Sequence, residues 1–140
     1  MKYRGRWAFV PIALASILAI PILPALAAPK KLTAPLQGTE RMTVTSTNQA
    51  APCNASNTQP EAVTIQVTGG LTSLDFEVSG NNGQPTLRVV NKGNGDETCV
   101  TADNLSGSSV ELSAAWDDGT YGVYVGDRNG ESHTFTLSIR

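Results

Sequence analysis

The chain has 140 residues, with 12 acidic against 10 basic side chains and a net charge of −2. It carries one histidine, two cysteines and 6% aromatic residues. That balance argues against a nucleic-acid partner, which needs a basic stripe, and against adhesion to anionic membranes by charge alone.

Residues 1–27 read as a signal peptide. Lys2, Arg4 and Arg6 form a basic head, and Trp7 to Ile22 is apolar and uncharged. Ala25-Leu26-Ala27 then places small residues at the two positions a signal peptidase reads, which puts cleavage after Ala27. A transmembrane anchor is the competing reading, because the uncharged run approaches the roughly 18 residues that suggest a span. Pro11, Pro21 and Pro24 interrupt the run and favour a cleaved leader. Losing its three basic residues takes the net charge to about −5. The destination is secreted or periplasmic. About 113 residues remain, one domain's worth, enough for a single core burying roughly two thirds of the unfolded surface.

Residues 28–40 contain proline and lysine without periodicity and read as a flexible N-terminal arm, a tether or an edge-covering segment. Residues 41–140 read as one β-sandwich domain. Turn signals recur at Gly69-Gly70, Asn82-Gly83, Asn94-Gly95, Ser106-Gly107, Asp118-Gly119 and Asn129-Gly130, close to the spacing of about 8 to 12 residues expected of a sandwich. Between them apolar and polar residues alternate. Met42 and Val44 lead, followed by Val63, Ile65 and Val67, then Leu74, Phe76 and Val78, then Leu87 and Val89. Val110, Leu112, Ala114 and Trp116 continue the pattern, as do Tyr121, Val123 and Val125, and finally Phe135, Leu137 and Ile139. Each strand therefore has one dry and one wet face, as in antiparallel sheets exposed on one side. Seven strands are clear, and an eighth is expected near Cys99-Val100-Thr101. The class is an all-β antiparallel sandwich, of jelly-roll rather than immunoglobulin type, since Trp116 follows both cysteines instead of lying between them.

Cys53 and Cys99 both lie in the exported part, and two cysteines in an oxidising compartment pair most simply as one disulfide.

Thr86-Leu-Arg-Val-Val90, Gly93-Asn-Gly-Asp-Glu-Thr-Cys99, Trp116-Asp-Asp-Gly-Thr-Tyr-Gly-Val-Tyr-Val-Gly126 and Phe135-Thr-Leu-Ser-Ile139 together resemble the bacterial pre-peptidase C-terminal domain. The resemblance covers roughly residues 62–140 and rests mostly on the closing hairpin around Asp127-Arg-Asn-Gly130. It implies a jelly-roll-like module of the kind attached to secreted peptidases, where it aids export, folding or substrate adhesion, sometimes with bound calcium. Gln84-Pro85-Thr86 stands where the family has an acidic lead-in, so a calcium role is not carried over. A chain of 140 residues leaves no room for a peptidase.

Candidate chemistry is sparse. His133 begins the last strand and has no nucleophile or orienting acid beside it in sequence. Asp117 and Asp118 are adjacent in a turn, where a glycosidase would need two acids held apart. No cofactor is expected, with calcium the most credible ion: Asp96, Glu97, Asp103, Asp117, Asp118, Asp127 and Glu131 are loop or strand-end acids that could converge. Tyr124 lies on the wet face of its strand between Gly122 and Gly126, which makes it the best candidate for a recognition residue. These features suggest a non-catalytic module acting by surface recognition on an envelope polysaccharide or a secreted protein. The alternatives are a structural envelope or matrix component, and a small hydrolase using loop carboxylates.

The exported protein should begin at Ala28. Its intact mass checks this, and a species retaining Met1 contradicts it.

Overall fold

The computed structural model describes residues 28–53 and 59–140. The signal-peptide reading of residues 1–27 lies outside the described residues. Nine strands and no helix make up the described chain: β1 (Lys30–Ala34), β2 (Glu40–Thr45), β3 (Glu61–Val67), β4 (Thr72–Ser79), β5 (Pro85–Asn91), β6 (Glu97–Thr101), β7 (Ser109–Trp116), β8 (Gly119–Asp127) and β9 (Thr134–Ile139). One sheet has the order β1-β3-β8-β5-β6 and the other β2-β9-β4-β7. Strands β2 to β9, taken without β1, supply two four-stranded sheets in the strand order of a jelly roll.

All eight strands read from the alternation are present. The ninth is a correction. Residues 28–40, expected as a flexible tether or an edge-covering segment, contain β1, which pairs in parallel with β3 from Lys30↔Val63 to Ala34↔Val67 and so covers an edge as a strand. Its reason is an edge to cover: without β1, the apolar strand β3 would end the sheet with its backbone groups unpaired. Ala34 is fully buried, and Lys30 Nζ reaches Glu40 Oε2 on the other sheet at 2.6 Å.

A second correction concerns the end of the chain. Strands β8 and β9 are not a paired hairpin. β8 pairs with β3 and β5, whereas β9 pairs with β2 and β4. Each strand carries one apolar face. Placing them in opposite sheets lets Val123 and Val125 bury against the layer of Phe135, Leu137 and Ile139, all within 1% of complete burial. The turn from Asp127 is therefore a corner between sheets. Gly130 adopts φ +79° there, with its N–H on the Asp127 carbonyl at 3.3 Å, a left-handed conformation that glycine accepts cheaply.

The core is the space between the sheets, filled by the inward residues of every strand. Phe76, Trp116 and Tyr121 meet edge to face, with centroid separations of 5.7 and 5.2 Å, the arrangement that ring quadrupoles favour.

Cys53 and Cys99 form the expected disulfide, with Cα atoms 5.5 Å apart. It sits on the outer face of the five-stranded sheet, not between the sheets, and ties the segment before residue 54 onto β6. Ala51 and Gln59 then lie over Gly126, where a Cβ would stand 2.5 Å from Ala51 Cβ.

The bridge closes a separation of 46 residues, which corresponds to about 4 kcal/mol in the chain-entropy account. Reduction should lower the denaturant midpoint accordingly while leaving the β-type circular dichroism unchanged at low temperature. Paired unfolding curves with and without reductant check this, and coincident curves contradict it.

Candidate functional site

The outer face of the five-stranded sheet divides in two. Its β8 end near Gly126 is covered by Ala51, Cys53 and Gln59. Its middle is open and is occupied by Tyr124. Cross-strand register places Arg88 and Glu61 on either side of Tyr124, and Cys99 beyond Arg88.

Glu61 reaches this face through an irregularity. Between Glu61 and Val63 the register against β8 shifts, so that Glu61 opposes Tyr124 and Val63 opposes Val123. Regular alternation would turn both inward. A β-bulge inserts one extra residue and re-aims what precedes it. The Glu61 carboxylate then accepts from Thr64 Oγ1 at 2.5 Å, Lys92 Nζ at 2.7 Å and Tyr124 Oη at 3.4 Å.

Tyr124 does not stand clear between two empty glycines. The space at Gly126 is taken by Ala51 and Gln59, and the space at Gly122 by the Tyr124 ring itself. A Cβ at Gly122 would lie 3.0 Å from both Cε2 and Oη of Tyr124 and 3.1 Å from Lys92 Cε. Gly122 is thus what allows the ring to lie along its own strand, as aromatics do when they shield glycines in sheets. Arg88 Cζ is 5.7 Å from the ring centroid, within cation–π range. Arg88 in turn pairs with Glu97 Oε2 at 2.6 Å. The result is a half-buried aromatic held among two ion pairs, Lys92–Glu61 and Arg88–Glu97. Burial, followed by the Glu61 charge, raises the phenol above its usual range, so the hydroxyl remains a donor at physiological pH. A shallow groove of about 530 Å³ adjoins this face and is lined by Lys92, Asn94, Asp118 and Thr120, among others.

The loop acids do not converge. Asp96, Asp117 and Asp118 lie at one end of β8, with Asp103, Asp127 and Glu131 at the other. Asp118 Oδ1 accepts the Gly70 N–H at 2.7 Å, and the Asp117 carbonyl accepts the Tyr121 hydroxyl at 3.0 Å. Asp103 Oδ1 accepts the N–H groups of Leu105 and Ser106 at 2.9 and 2.7 Å. Those bonds, the Ser106 N–H first, hold its carboxyl below the ordinary value. Asp127 is fully buried and caps the corner turn, and Glu131 Oε2 lies 2.9 Å from His133 Nε2. Among the described residues no three of His, Cys, Asp and Glu are grouped so as to hold a metal ion. Asp117 and Asp118 hold a turn.

Sequence reasoning singled out Tyr124 but missed Glu61, Arg88 and Lys92. Arg88 and Lys92 fall where any solvated wet face carries charge. Glu61 precedes the alternating run, and only the register shift brings it to the ring.

No family model matches the chain, and no curated protein matches it. Among solved structures, the pre-peptidase C-terminal domain of a collagenase from Bacillus anthracis is similar at 14% identity and a TM-score of 0.49, covering 82% of this chain and 99% of that one. PliG of Aeromonas hydrophila, a periplasmic inhibitor of g-type lysozyme, is similar at 15% identity and a TM-score of 0.43, covering 80% of this chain and 97% of that one. The first of these is a domain of the family that the closing segment of the sequence resembles.

Because the folded Tyr124 pKa is raised, its contribution is complete below the unfolded value near 10 and is lost as pH rises through the folded value. Thermal midpoints should therefore fall above about pH 10, and fall less in Tyr124→Phe. Identical alkaline slopes for the two proteins contradict this. Tyr124→Ala should cost about 1–2 kcal/mol, from the lost hydrogen bond and ring contacts.

Proposed function

We propose that the protein is an exported, non-catalytic recognition module that binds a secreted protein through the outer face of its five-stranded sheet. The observation that carries this reading is the Tyr124 ring laid on Gly122 and bordered by Arg88, Lys92 and Glu61. Tyrosine and arginine are the residue types that dominate binding energy at protein interfaces, above all where neighbours already exclude water from them. Here Arg88 and Tyr124 are preorganised against each other, so little rotamer freedom remains to be lost on docking. Charges of both signs stand beside the ring, with Lys92 paired to Glu61 and Arg88 paired to Glu97. That pattern suits the polar rim of a protein partner, where it selects orientation and partner, better than it suits an uncharged glycan.

Export is supported by the leader pattern and by a disulfide that an oxidising compartment maintains. A non-catalytic role is supported by Asp103, Asp118, Asp127 and the Glu131–His133 pair, each of which is committed to a turn, a cap or a neighbour. A polysaccharide partner is the alternative that the same ring could serve, since a flat aromatic also stacks on sugars.

The test is affinity capture from the exported fraction, followed by measured binding of the captured protein to wild type, Tyr124→Ala and Arg88→Ala. Thr136→Ala, on the outer face of the opposite sheet, serves as the control. The expected result is a loss of about thirtyfold or more in the first two variants and none in the control. Equal binding by all four proteins, or binding only to glycans on an array, overturns the reading.

A further inference from the structure

We propose that β7 is a dimerisation edge, pairing antiparallel with β7 of a second copy to join two four-stranded sheets into one of eight strands.

The four sheet edges are not alike. β1 spans five residues and begins with Lys30 and Lys31. β6 also spans five and is tied at Cys99 to the segment that lies over the sheet. β2 spans six and places Glu40 and Arg41 at its start. Shortness, charge and covering segments are the devices that keep edges from pairing. β7 has eight residues, Ser-Val-Glu-Leu-Ser-Ala-Ala-Trp, with one charge, Glu111. Among the described residues it pairs with β4 alone.

The direction of its backbone groups follows from the ladder. Asp75 and Arg140 exchange both N–H···O bonds, so Asp75 points its backbone at β9. Phe76 then points at β7 and opposes Leu112. Leu112 and Ala114 consequently bond inward to β4, while Ser109, Glu111, Ser113 and Ala115 present N–H and C=O to the open edge.

A second observation concerns the same edge. Leu112 and Ala114 face the core but are only half-buried, as is Val100 on β6. β6 is three residues shorter than β7 and does not cover them. An open cleft of about 390 Å³ lies between these strands, lined by Val100, Ser106, Val110 and Glu111 among others. Leu105, 96% exposed, stands on the loop between the two strands. The edge with the least protection is therefore also the edge where the core is left partly open.

Charge selects the register in which a second copy can pair. Centring the pair on Glu111 sets two like charges opposite each other, which destabilises. Centring it on Ser113 sets Glu111 opposite Ala115 of the other copy. The two glutamates then stand about 13 Å apart along the strands, beyond the screening length of about 8 Å at physiological salt. Outward side chains along β7 other than Glu111 are small, so nothing on the strand itself obstructs approach.

Sedimentation of the disulfide-bonded protein from about 1 µM to about 1 mM should show a monomer–dimer equilibrium. Ala115→Glu sets like charges opposite each other twice and should weaken the dimer about tenfold or more, whereas Ala115→Lys, opposite Glu111, should hold or tighten it. Ser113→Pro removes an outward N–H without deleting a bond to β4, and should give a monomer with unchanged circular dichroism. Single-chain mass at every concentration overturns the proposal. So does equal weakening by Lys and Glu at position 115, and so does a dimer that survives both Ser113→Pro and Ala115→Glu.

Discussion

Asp127 is a carboxylate without access to water, and one end of the sandwich is organised around it. Its side chain is fully buried and accepts N–H groups from Gln84 at 2.9 Å and Asn129 at 2.8 Å, with Glu131 more distant at 3.4 Å. Leaving such a group buried and unbonded costs far more than a typical hydrogen bond gains. The chain therefore has to bring the loop after β4 and the corner after β8 to the same point. The backbone of Asp127 extends the junction: its carbonyl accepts Ala51 N at 3.0 Å as well as Gly130 N. One residue thus ties the β4–β5 and β8–β9 connections to the segment that runs on to Cys53.

That junction has a consequence for the proposed recognition face. Ala51, held by Asp127, and Cys53, held by Cys99, together lay the covering segment over Gly126. They cover the outer surface at Gly126, next to Tyr124 along β8. The two outer faces of the sandwich differ accordingly. The four-stranded sheet presents Thr43, Thr45, Thr134 and Thr136 beside the charges of Arg41, Asp75, Glu77 and Glu111, without an aromatic. The five-stranded sheet concentrates its outward aromatic and four charges in one place. In an all-β module with its core committed between sheets, recognition has to be built on an outer face, an edge or a loop. Here the aromatic face and the β7 edge are on different sheets, so both can be used in one assembly.

The fold was legible in the sequence wherever alternation was strict. From Val63 to Ile139 each inward residue named from the pattern faces the core, but the order of the strands within the two sheets does not follow from alternation. β1 was not legible because Lys30-Lys-Leu-Thr-Ala34 offers too little apolar periodicity; it is strand because β3 needs a neighbour. The separation of β8 from β9 was hidden for a different reason. A four-residue turn signal with glycine at its left-handed position serves a hairpin and an inter-sheet corner equally well. The site was legible only at its centre. Tyr124 stands out by parity between two glycines, but its partners depend on cross-strand register, and Glu61 depends on a bulge that no local signal marks. Asp127 was read as a turn residue, which is correct, but its complete burial comes from the β4–β5 loop, 43 residues earlier at Gln84.

The account places Asp127 as the joint between the corner, the β4–β5 loop and the covering segment. Residue-resolved hydrogen exchange on Asp127→Ala tests this directly. The amides of Gln84 and Asn129, which donate to the carboxylate, should lose protection together, while those of β2 and β9 beyond the corner, such as Met42 and Leu137, keep it. Unchanged protection at Gln84 and Asn129 in a folded Asp127→Ala protein would contradict this.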